Sequence, residues 1–576
     1  MRILIPLLLV SAIAARVESE AATDPRVREY VLPGRVLWQS PTQDCAIEKA
    51  ELLLQPFSGQ VTLDNRVACV LRHNGKEPAI LLDFGRELQG GIQIAVADLS
   101  PASRRSKTTR LRVRFGESAS EAMSELGGAA NATNDHAVRD EIIAVPWLGT
   151  IEIGNTGFRF VRLDLVEPDG FVALKSVRAI YLHRDLPRLG TFRCNDERLN
   201  RIWDTGAYTV FLNMQEFVWD GIKRDRLVWL GDMHPETSTI GAVFGNVAVV
   251  PASLDLIKNE TPLPKWMNGI SSYSMWWIII QRDWYRQSGD LEYLRHQQAY
   301  LGGLVDELSR HISAEGKETL PEMRFLDWPS SENKSAIHAG LQSLMVLAFQ
   351  AAQEIAASLN DQALAGKCQQ SVSRLRKHVP DPAQSKQAAA LMALAGLGDP
   401  AKLNSEVMAV DDAKRLSTFY GYYVLEARAK AGDYQGCLDA IRQFWGGMLD
   451  LGATTFWEDF NLEWTTNASR IDELVAAGKK DIHGDYGAYS YKGFRHSLCH
   501  GWASGPTAWL SEHVLGVQIL EAGCKKVRIT PHLGDLQWAE GSFPTPRGVI
   551  KIRHEKEADG TVKSNVQCPD GVQVEK

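Results

Sequence analysis

Cysteine is scarce in this sequence, with 8 among 576 residues. No two of these cysteines stand at a spacing that is typical of zinc ligands, so a zinc site is not expected. Cys45 and Cys69 are a candidate disulfide pair. The cysteine content as a whole is ordinary for a chain of this length and does not indicate a disulfide scaffold.

Long basic runs and long apolar runs are also lacking. The formal net charge is -7 and the pI is about 6.1. Binding to nucleic acid or to an anionic membrane is therefore not expected as the main function. Beyond the first 15 residues we find no stretch that is long and apolar enough to cross a bilayer. A G-x-S-x-G elbow is missing too, which sets aside a Ser-His-Asp hydrolase.

The N-terminus has the pattern of a secretory signal peptide. A short positive start, Met1-Arg2, precedes an apolar run from Ile3 to Ala15, and Ala12-Ile13-Ala14 offers an A-x-A cleavage site. The pattern predicts a signal peptide over residues 1–21 and export to the periplasm or the exterior. An uncleaved anchor is the alternative, and no cysteine follows directly that would indicate a lipoprotein.

The mature chain is predicted to contain three domains, since its length and its 44% hydrophobic content allow more than one core. Residues 22–190 carry short alternating runs such as "FRFVRLDLVEP", which predict an antiparallel β-sandwich. Residues 191–515 carry long helical patterns, beginning with a helix that Asn195 or Asp196 can cap. Residues 516–576 return to alternation, which predicts a small C-terminal β-domain.

The helical region repeats one sequence pattern at its predicted helix boundaries. "RQSGDLEYL", "AGLGDPAKL" and "AKAGDYQGCL" each end one helix at a Gly-Asp pair and start another soon afterwards. Repeated helical hairpins of this kind predict a closed (α/α)6 barrel. An open α-solenoid is the alternative, but it would use a more regular period.

Aromatic and acidic residues cluster at four places in the helical region. These are "FVWDGIKRDRLVWLGD", "FLDWPSSEN", "TTFWEDFNLEW" and "HSLCHGW", in a chain with 16 tryptophans. Sugars stack their apolar faces on aromatic rings, and their hydroxyls need charged or amide partners. A single cluster is commonly a packed Trp beside a helix cap. Four clusters on the rim of one barrel predict a carbohydrate site.

The first cluster contains an unusual segment, "DGIKRDRLVWLGD", over residues 220–232. Its charges cannot face solvent while Leu227, Val228 and Leu230 turn inward, unless the segment bends. The segment resembles the signature of glycoside hydrolase family 78, the inverting α-L-rhamnosidases, which is close to D-C-P-Q-R-E-R-x-G-W-x-G-D. The matching residues are Asp220, Arg224, Arg226, Trp229, Gly231 and Asp232.

The resemblance covers nearly the whole mature chain. "LLDFGRELQGGIQI" is similar to the family's N-terminal sandwich, and "GATTFWE" is similar to a barrel loop. "HSLCHGWASGPTAWL" is similar to the last active-site loop, and "GDLQWAEGSFPTPRGVI" to the C-terminal β-domain. The resemblance implies a terminal α-L-rhamnoside as substrate, in an oligosaccharide or another glycoside, with no cofactor and no metal.

Inverting hydrolysis needs one carboxylic acid that protonates the leaving oxygen and one carboxylate that activates water. The family's general acid falls at Asp225, which replaces Glu and is shorter by one methylene, about 1.5 Å. Contact with Arg224 or Arg226 would favour an ionised carboxyl group. A salt-bridged structural aspartate is therefore the alternative for this position, and Glu236 is a replacement acid without family support.

The expected general base is Glu458, with Asp459 and Glu463 as rivals. Asp220 and Asp232 are expected to hold sugar hydroxyls or to restrain Arg224, and Trp229 is expected to pack under the sugar. Further substrate contacts are expected from Asp327, Trp328, Trp457, His500 and Trp502.

Two other functions fit the same residues. One is a toroidal glycosidase for a different sugar, or a phosphorylase, although residues 450–500 show no phosphate cradle. The other is a non-catalytic carbohydrate-binding relative whose acid has decayed to aspartate. Turnover of an aryl α-L-rhamnoside distinguishes these functions.

Overall fold

The structure is a computed structural model that describes residues 24–41, 45–100, 106–321, 323–489 and 491–575. The predicted signal peptide, residues 1–21, lies outside the described residues. A β-sandwich, a ring of helices and a small β-domain follow one another along the chain, which confirms the predicted fold class. The exact domain boundaries stay predictions.

In the part of the sandwich that the structure describes, nine strands pair antiparallel. Irregularities of the pairing register interrupt the longest strand, β5 (Ala79–Leu99), where it pairs with β8 (Thr150–Leu165) and β9 (Phe171–Arg184). The early part of β5 pairs with β2 and β8, and its later part pairs with β8 and β9. One apolar core fills the space between the layers. The elements are β1 (Arg26–Val31), β2 (Arg35–Gln39), β3 (Cys45–Glu48), β4 (Cys69–His73), β5 (Ala79–Leu99), β6 (Thr108–Gly116), α1 (Ala119–Met123), β7 (Asp140–Pro146), β8 (Thr150–Leu165) and β9 (Phe171–Arg184).

The candidate disulfide is wrong. In the β3–β4 pair, Cys45 lies opposite His73, and Cys69 lies four residues further along β4. At about 3.4 Å per residue the two cysteine backbones are about 13 Å apart. A disulfide needs Cα atoms within about 7 Å.

Twelve helices of the described residues form the central ring. The chain enters it through β10 (Thr191–Cys194), and the ring's elements are α2 (Glu197–Asn213), α3 (Met233–Phe244), α4 (Val249–Glu260), α5 (Ser271–Ser288), α6 (Leu291–Arg310), α7 (Lys334–Ser358), α8 (Gln362–Leu375), α9 (Lys386–Ala395), α10 (Pro400–Leu403), α11 (Gly421–Lys430), α12 (Tyr434–Asp450) and α13 (Gly505–Trp509). The odd-numbered helices from α3 onward contact one another in turn, and α13 closes back on α3. This closed inner ring, with the even-numbered helices outside, is an (α/α)6 barrel.

Several helices begin at the capping residues that the sequence predicted. Asp196 caps α2, and its carboxylate accepts hydrogen bonds from the first turn. Gly289 adopts the left-handed conformation that ends α5, and Asp290 caps α6. At the later Gly-Asp pairs, Asp399 and Asp433 cap α10 and α12, whereas the preceding helices α9 and α11 end at Gly396 and Ala431. Aspartate caps therefore determine where these helices of the barrel begin.

Among the described helices, α7 is the one that is long and apolar enough to cross a membrane. The expectation that no stretch beyond the N-terminus has such a composition is therefore wrong. However, 78% of its apolar window is buried inside the fold. Because α7 belongs to the inner ring, neighbouring helices cover it on most sides, and its composition is that of a core helix.

The inner helices all begin at the same rim of the barrel. The loops that carry Asp232, Asp327, Phe419 and His500 each lead into the N-terminus of an inner helix. A long segment, residues 451–504, crosses this rim between α12 and α13 and contains β11 (Ala468–Ser469) and β12 (Lys480–Asp481). This rim therefore collects the four aromatic and acidic clusters of the sequence.

The C-terminal domain contains two small sheets. One sheet has the order β10-β15-β16-β17, so the strand that enters the barrel also pairs with this domain. The other sheet has the order β13-β14-β18. The strands are β13 (Val517–Glu521), β14 (Lys526–Ile529), β15 (Trp538–Thr545), β16 (Gly548–Lys556), β17 (Val562–Gln567) and β18 (Gln573–Glu575).

The sandwich packs directly on the rim. Tyr208, Leu212, Ile222 and Cys499 of the barrel are buried within the sandwich core. Gly157 of β8 lies so close to the barrel that an added Cβ would lie 2.9 Å from the backbone nitrogen of Lys223. Only glycine allows this approach, and the sandwich thereby contacts the loop over residues 220–232.

Candidate active site

The segment over residues 220–232 forms a tight bend between α2 and α3. The carboxylate of Asp220 accepts hydrogen bonds from the backbone nitrogens of Asp225, at 2.8 Å, and Leu227, at 3.0 Å. The segment therefore bends, but Leu227 does not turn inward, because its exposed fraction is 50%. Asp220 therefore organises the backbone that presents Asp225.

An arginine and a histidine lie close to the carboxylate of Asp225. The guanidinium of Arg224 donates to Oδ1 of Asp225 at 2.6 Å, and Nε2 of His136 lies 3.3 Å from the same oxygen. Arg226 turns away and donates to the backbone oxygen of Asn155 at 2.6 Å. Of the two flanking arginines, Arg224 is thus the one that contacts the carboxylate.

Three buried carboxylates surround the imidazole of His500. Its Nε2 lies 3.6 Å from Asp220, 3.8 Å from Asp232 and 3.6 Å from Glu458. The second oxygen of Glu458 accepts a hydrogen bond from the backbone nitrogen of Ser497 at 3.0 Å. Two loops that are distant in sequence therefore meet at one imidazole.

The proximity of these groups shifts their proton affinities. Burial raises the pKa of Glu458 to about 7, although the positive charges of His500 and Arg224 partly oppose the rise. Burial also raises the pKa of Asp232 to about 8, against the charge of His500. For His500, burial lowers the pKa, but the Asp220 hydrogen bond and the carboxylate charges outweigh it and give about 9. At neutral pH His500 is therefore a cation among carboxyl groups.

A narrow cavity opens beside Glu458. Its aromatic walls include Trp328 and Trp502, and Trp502 donates from its indole nitrogen to the backbone oxygen of Glu458 at 2.9 Å. Asp327 also lines it and accepts a hydrogen bond from Ser417 at 2.7 Å. Burial raises the pKa of Asp327, and this hydrogen bond opposes the rise. The cavity has the mixture of rings and carboxyl groups that the sequence predicted.

The remaining predicted residues lie at different depths. Trp229 is half-buried against Tyr273, with ring centroids 6.0 Å apart, and Tyr273 donates to Asp232 at 2.8 Å. Trp457 is buried in the hydrophobic core beside Phe460 and does not line the cavity. Its contact with substrate stays a prediction.

The rival carboxylates are also distinguishable. Asp459 lines the same cavity as Glu458, and burial raises its pKa to about 6. Glu463 is exposed on a short 3-10 helix. Glu236 is buried near the cluster, where one of its oxygens faces Asn213 at 3.4 Å. Glu458 differs from all three in its direct approach to His500.

The sequence analysis missed several residues of the site. Tyr491 lines the narrow cavity, and its ring lies over the guanidinium of Arg224 at 4.9 Å. Tyr273 and His136 reach the cluster from α5 and from the sandwich. None of the three stands in a recognisable motif. A tyrosine close to "HSLCHGW" was the one available signal.

Three groups of donor atoms in the described part of the chain lie close enough to hold a metal ion. They are Glu117 with Glu121 and His483, Asp220 with Asp232 and His500, and Glu426 with Glu512 and His513. In the first group, Lys223 already lies 3.0 Å from Glu117. In the other two, His500 and His513 have pKa values of about 9, raised by neighbouring carboxylates against the effect of burial. Side chains of the protein therefore already balance each group's negative charge.

Comparison with known proteins gives a consistent family. A model of the bacterial alpha-L-rhamnosidase six-hairpin glycosidase domain matches residues 187–382, and a model of the bacterial alpha-L-rhamnosidase C-terminal domain matches residues 516–575. An alpha-L-rhamnosidase of Alteromonas sp. (strain LOR) is 24% identical over 452 residues, which are 70% of this chain and 46% of the relative. The chain thus spans about half the length of this curated relative.

Solved structures show the same fold. The GH78 family rhamnosidase of Bacillus sp. GL1 has a TM-score of 0.70 at 21% identity, over 91% of this chain and 55% of its own. A rhamnosidase from Klebsiella oxytoca with rhamnose bound has a TM-score of 0.65 at 20% identity, over 85% of this chain and 96% of its own. The resemblance to glycoside hydrolase family 78 that residues 220–232 indicated is therefore confirmed by domain composition and by fold.

Proposed function

We propose that this protein hydrolyses terminal α-L-rhamnosides with inversion, with Asp225 as general acid and Glu458 as general base. One observation carries the proposal. Arg224 donates to Asp225, and its charge also acts on Glu458, so the two carboxyl groups share one buried cation at the barrel rim. Two carboxyl groups that flank one site are what single-displacement hydrolysis requires.

Glu458 has the contacts of a positioned base. One of its oxygens is fixed by the Ser497 backbone nitrogen, and the other lies 3.6 Å from His500. In the proposed reaction, Glu458 accepts a proton from water while the water oxygen bonds to the anomeric carbon. The bond between that carbon and the glycosidic oxygen breaks, and Asp225 gives its proton to the leaving oxygen.

Asp225 must carry a proton to act as the acid. In the structure it is paired with Arg224, and His136 is the neighbouring group that can hold and transfer a proton, 3.3 Å from Oδ1. The sandwich thus supplies a residue beside the proposed acid. We infer that His136 is part of the proton supply to Asp225.

The residues that line the narrow cavity are proposed to contact the rhamnosyl ring. Trp328 and Tyr491 offer aromatic faces, and Asp327 offers a buried carboxyl group for hydroxyls. The rhamnose that is bound to the Klebsiella oxytoca structure supports a rhamnosyl substrate for this fold.

Turnover of an aryl α-L-rhamnoside, followed by NMR of the first-formed sugar, tests the proposal. We expect the β-anomer of rhamnose first, because water attacks the face opposite to the leaving group. Retained configuration would contradict both carboxylate assignments. A matched set of aryl glycosides of other sugars serves as the control for sugar identity.

The Arg224–Asp225 contact favours a second candidate function, a carbohydrate-binding protein without hydrolytic activity. An aspartate that remains ion-paired cannot donate a proton. Rhamnose binding by calorimetry together with no turnover on the aryl substrate would support this candidate. Turnover that is lost in Glu458→Gln would rule it out.

We also propose that the protein is exported, on the basis of the apolar N-terminal pattern alone. Fractionation of the source cells and mass spectrometry of the mature N-terminus test this proposal. We expect a chain that begins close to residue 22, outside the cytoplasm, and an intact Met1 in the cytoplasm would contradict it.

A further inference from the structure

A second, wider cavity continues from the narrow one. It has a volume of about 370 Å³ and shares Pro329, Asp459, Ala488 and Tyr489 with the cavity beside Glu458. The two cavities therefore adjoin at these four residues. For a glycosidase that removes a terminal sugar, the space next to the sugar site receives the leaving group.

The walls of the wider cavity suit a sugar. Trp464 lines it and stacks on Tyr486 with ring centroids 5.3 Å apart, while Tyr489 stacks on Trp328 at 5.8 Å. Amide side chains of Asn333, Gln384, Gln387 and Asn461 complete the lining. Aromatic faces combined with amides are the usual partners of sugar rings and hydroxyls.

The same cavity contains an unusual buried cation. Lys386 lines it with an exposed fraction of 1%, and its ammonium donates to the backbone oxygen of Asp412 at 2.6 Å. Burial, together with the charges of Arg415 and Arg428, lowers the pKa of Lys386 to about 8, against the opposing charges of Asp411 and Asp412. Lys386 is therefore still mostly charged at neutral pH.

Two further features make this part of the cavity positive. Lys386 is the first residue of α9, where the helix dipole already favours an anion. Arg415 also lines the cavity, and its partner Asp411 lies 3.2 Å away in a pair with exposed fractions of 48% and 58%. Exposed pairs of this kind are weak, so Arg415 can turn to an anionic ligand at little cost.

We propose that the wider cavity is a leaving-group subsite for an acidic sugar, recognised by Lys386 and Arg415. The anion is a uronate carboxylate or a sulfate ester on the residue that carries the rhamnose. This inference rests on the proposed rhamnosidase activity and adds the chemistry of the substrate. Asp459 is the one carboxyl group in the lining, and it lies at the boundary with the narrow cavity.

The test compares kcat/KM for four substrates of the intact protein. They are a rhamnosyl uronate disaccharide, its carboxyl-reduced neutral analogue, a rhamnosyl disaccharide with a sulfated second sugar, and an aryl α-L-rhamnoside. The variants are Arg415→Gln and Lys386→Met, and Lys414→Gln is the control, because Lys414 is an exposed neighbour that does not line the cavity.

We expect the wild type to prefer an acidic disaccharide over the neutral analogue by about tenfold, the effect of about 1.4 kcal/mol. Arg415→Gln should remove most of this preference and leave the aryl substrate unchanged, and Lys414→Gln should change neither. Of the uronate disaccharide and the sulfated disaccharide, the one with the higher kcat/KM identifies the anion. Equal values of kcat/KM for the two indicate that the subsite recognises either anion. For Lys386→Met we compare the ratio of kcat/KM for the acidic substrate to kcat/KM for the neutral substrate, because a general loss of folded protein does not alter this ratio.

Two results would overturn the inference in different ways. Equal hydrolysis of acidic and neutral disaccharides, with good turnover of the aryl rhamnoside, would reject the acidic subsite and leave the proposed function intact. No turnover of any rhamnoside, the aryl substrate included, would reject the proposed function and the subsite with it.

Discussion

At the scale of single residues, the site is a balance of charges around His500. Glu458 must be ionised to accept a proton, and burial places its pKa at about 7. We therefore expect kcat/KM to fall as the pH decreases through about 7. This acidic limb of the pH profile reports the titration of the whole cluster and not of Glu458 alone, because Asp232 and His500 interact with Glu458.

Replacement of His500 tests the same pH dependence more specifically. Its positive charge holds the pKa of Glu458 below the value that burial alone would give. His500→Gln should therefore raise the pKa of Glu458 and move the acidic limb of the pH profile to higher pH. His296→Gln, an exposed histidine on α6, is the control. An unchanged limb in His500→Gln would contradict the assignment of Glu458 as base.

Asp225 allows a second prediction at this scale. Asp225→Asn should lower turnover of natural glycosides by about 10²–10⁴, the usual contribution of acid catalysis. A substrate with a good leaving group should lose much less, because it needs little protonation. Equal losses on both substrates would exclude Asp225 as the acid. Asp232, with a pKa of about 8, would then be the next acid to test, through Asp232→Asn.

The replacement of Glu by Asp at this position is itself testable. The contacts of Asp225 with Arg224 and His136 show a pocket that already surrounds the shorter side chain. We expect Asp225→Glu to crowd these partners and to lower kcat on natural glycosides. A many-fold gain in kcat would show instead that the aspartate is a weakened acid.

At the scale of structural elements, the sandwich holds the catalytic loops through a buried charge cluster. Lys223, two residues before Asp225, lies 3.0 Å from Glu117 and 3.2 Å from Glu121. Burial lowers the pKa of Lys223, but the two glutamates outweigh it and raise the pKa. Glu117 also accepts a hydrogen bond from the backbone nitrogen of Leu498, beside the Ser497 that holds Glu458. One glutamate of the sandwich thus connects to both proposed catalytic residues.

Removal of Lys223 should therefore affect stability and chemistry together. Lys223→Met leaves buried carboxylates without their cation, which costs about 3–5 kcal/mol of folding free energy. We expect a lower thermal midpoint and a fall in kcat that exceeds any change in KM. Lys551→Met, on an exposed position of β16, is the control.

A double variant separates the two effects. Lys223→Met with Glu117→Gln removes one unpaired charge and should recover part of the lost stability without recovering kcat. Full recovery of kcat in the double variant would show that the cluster has a purely structural role.

At the scale of the whole molecule, the sandwich and the barrel share one interface. Tyr208, Leu212 and Ile222 of the barrel are buried in the sandwich core, and β10 joins the C-terminal sheet. A chain limited to residues 187–576 would expose these side chains and leave Lys223 without Glu117. We expect it to aggregate and to show no turnover, whereas residues 24–576 should keep full activity. Normal activity of the shorter chain would contradict an essential role of the sandwich.

The order of the domains and many helix limits could be read from the sequence, because they depend on local chemistry. Alternation over residues 22–190, the Asp196 cap and the Gly-Asp pairs each report on neighbouring residues in the chain. The signature at residues 220–232 was recognisable because it is contiguous. The charges of Glu458 and His500 were likewise noticeable as members of aromatic and acidic clusters.

The assembly of the site was decided by tertiary structure alone. His136 reaches Asp225 from the sandwich, Tyr273 reaches Asp232 from α5, and Lys386 enters the wider cavity from α9. Trp457 and Trp502 both stand in aromatic and acidic clusters of the sequence, yet Trp502 lines the narrow cavity and Trp457 does not. A sequence fixes which side chains are available and which local turns they favour. The distances between side chains that are hundreds of residues apart, and the burial that shifts their pKa values, exist only after the barrel has closed and the sandwich has packed on its rim.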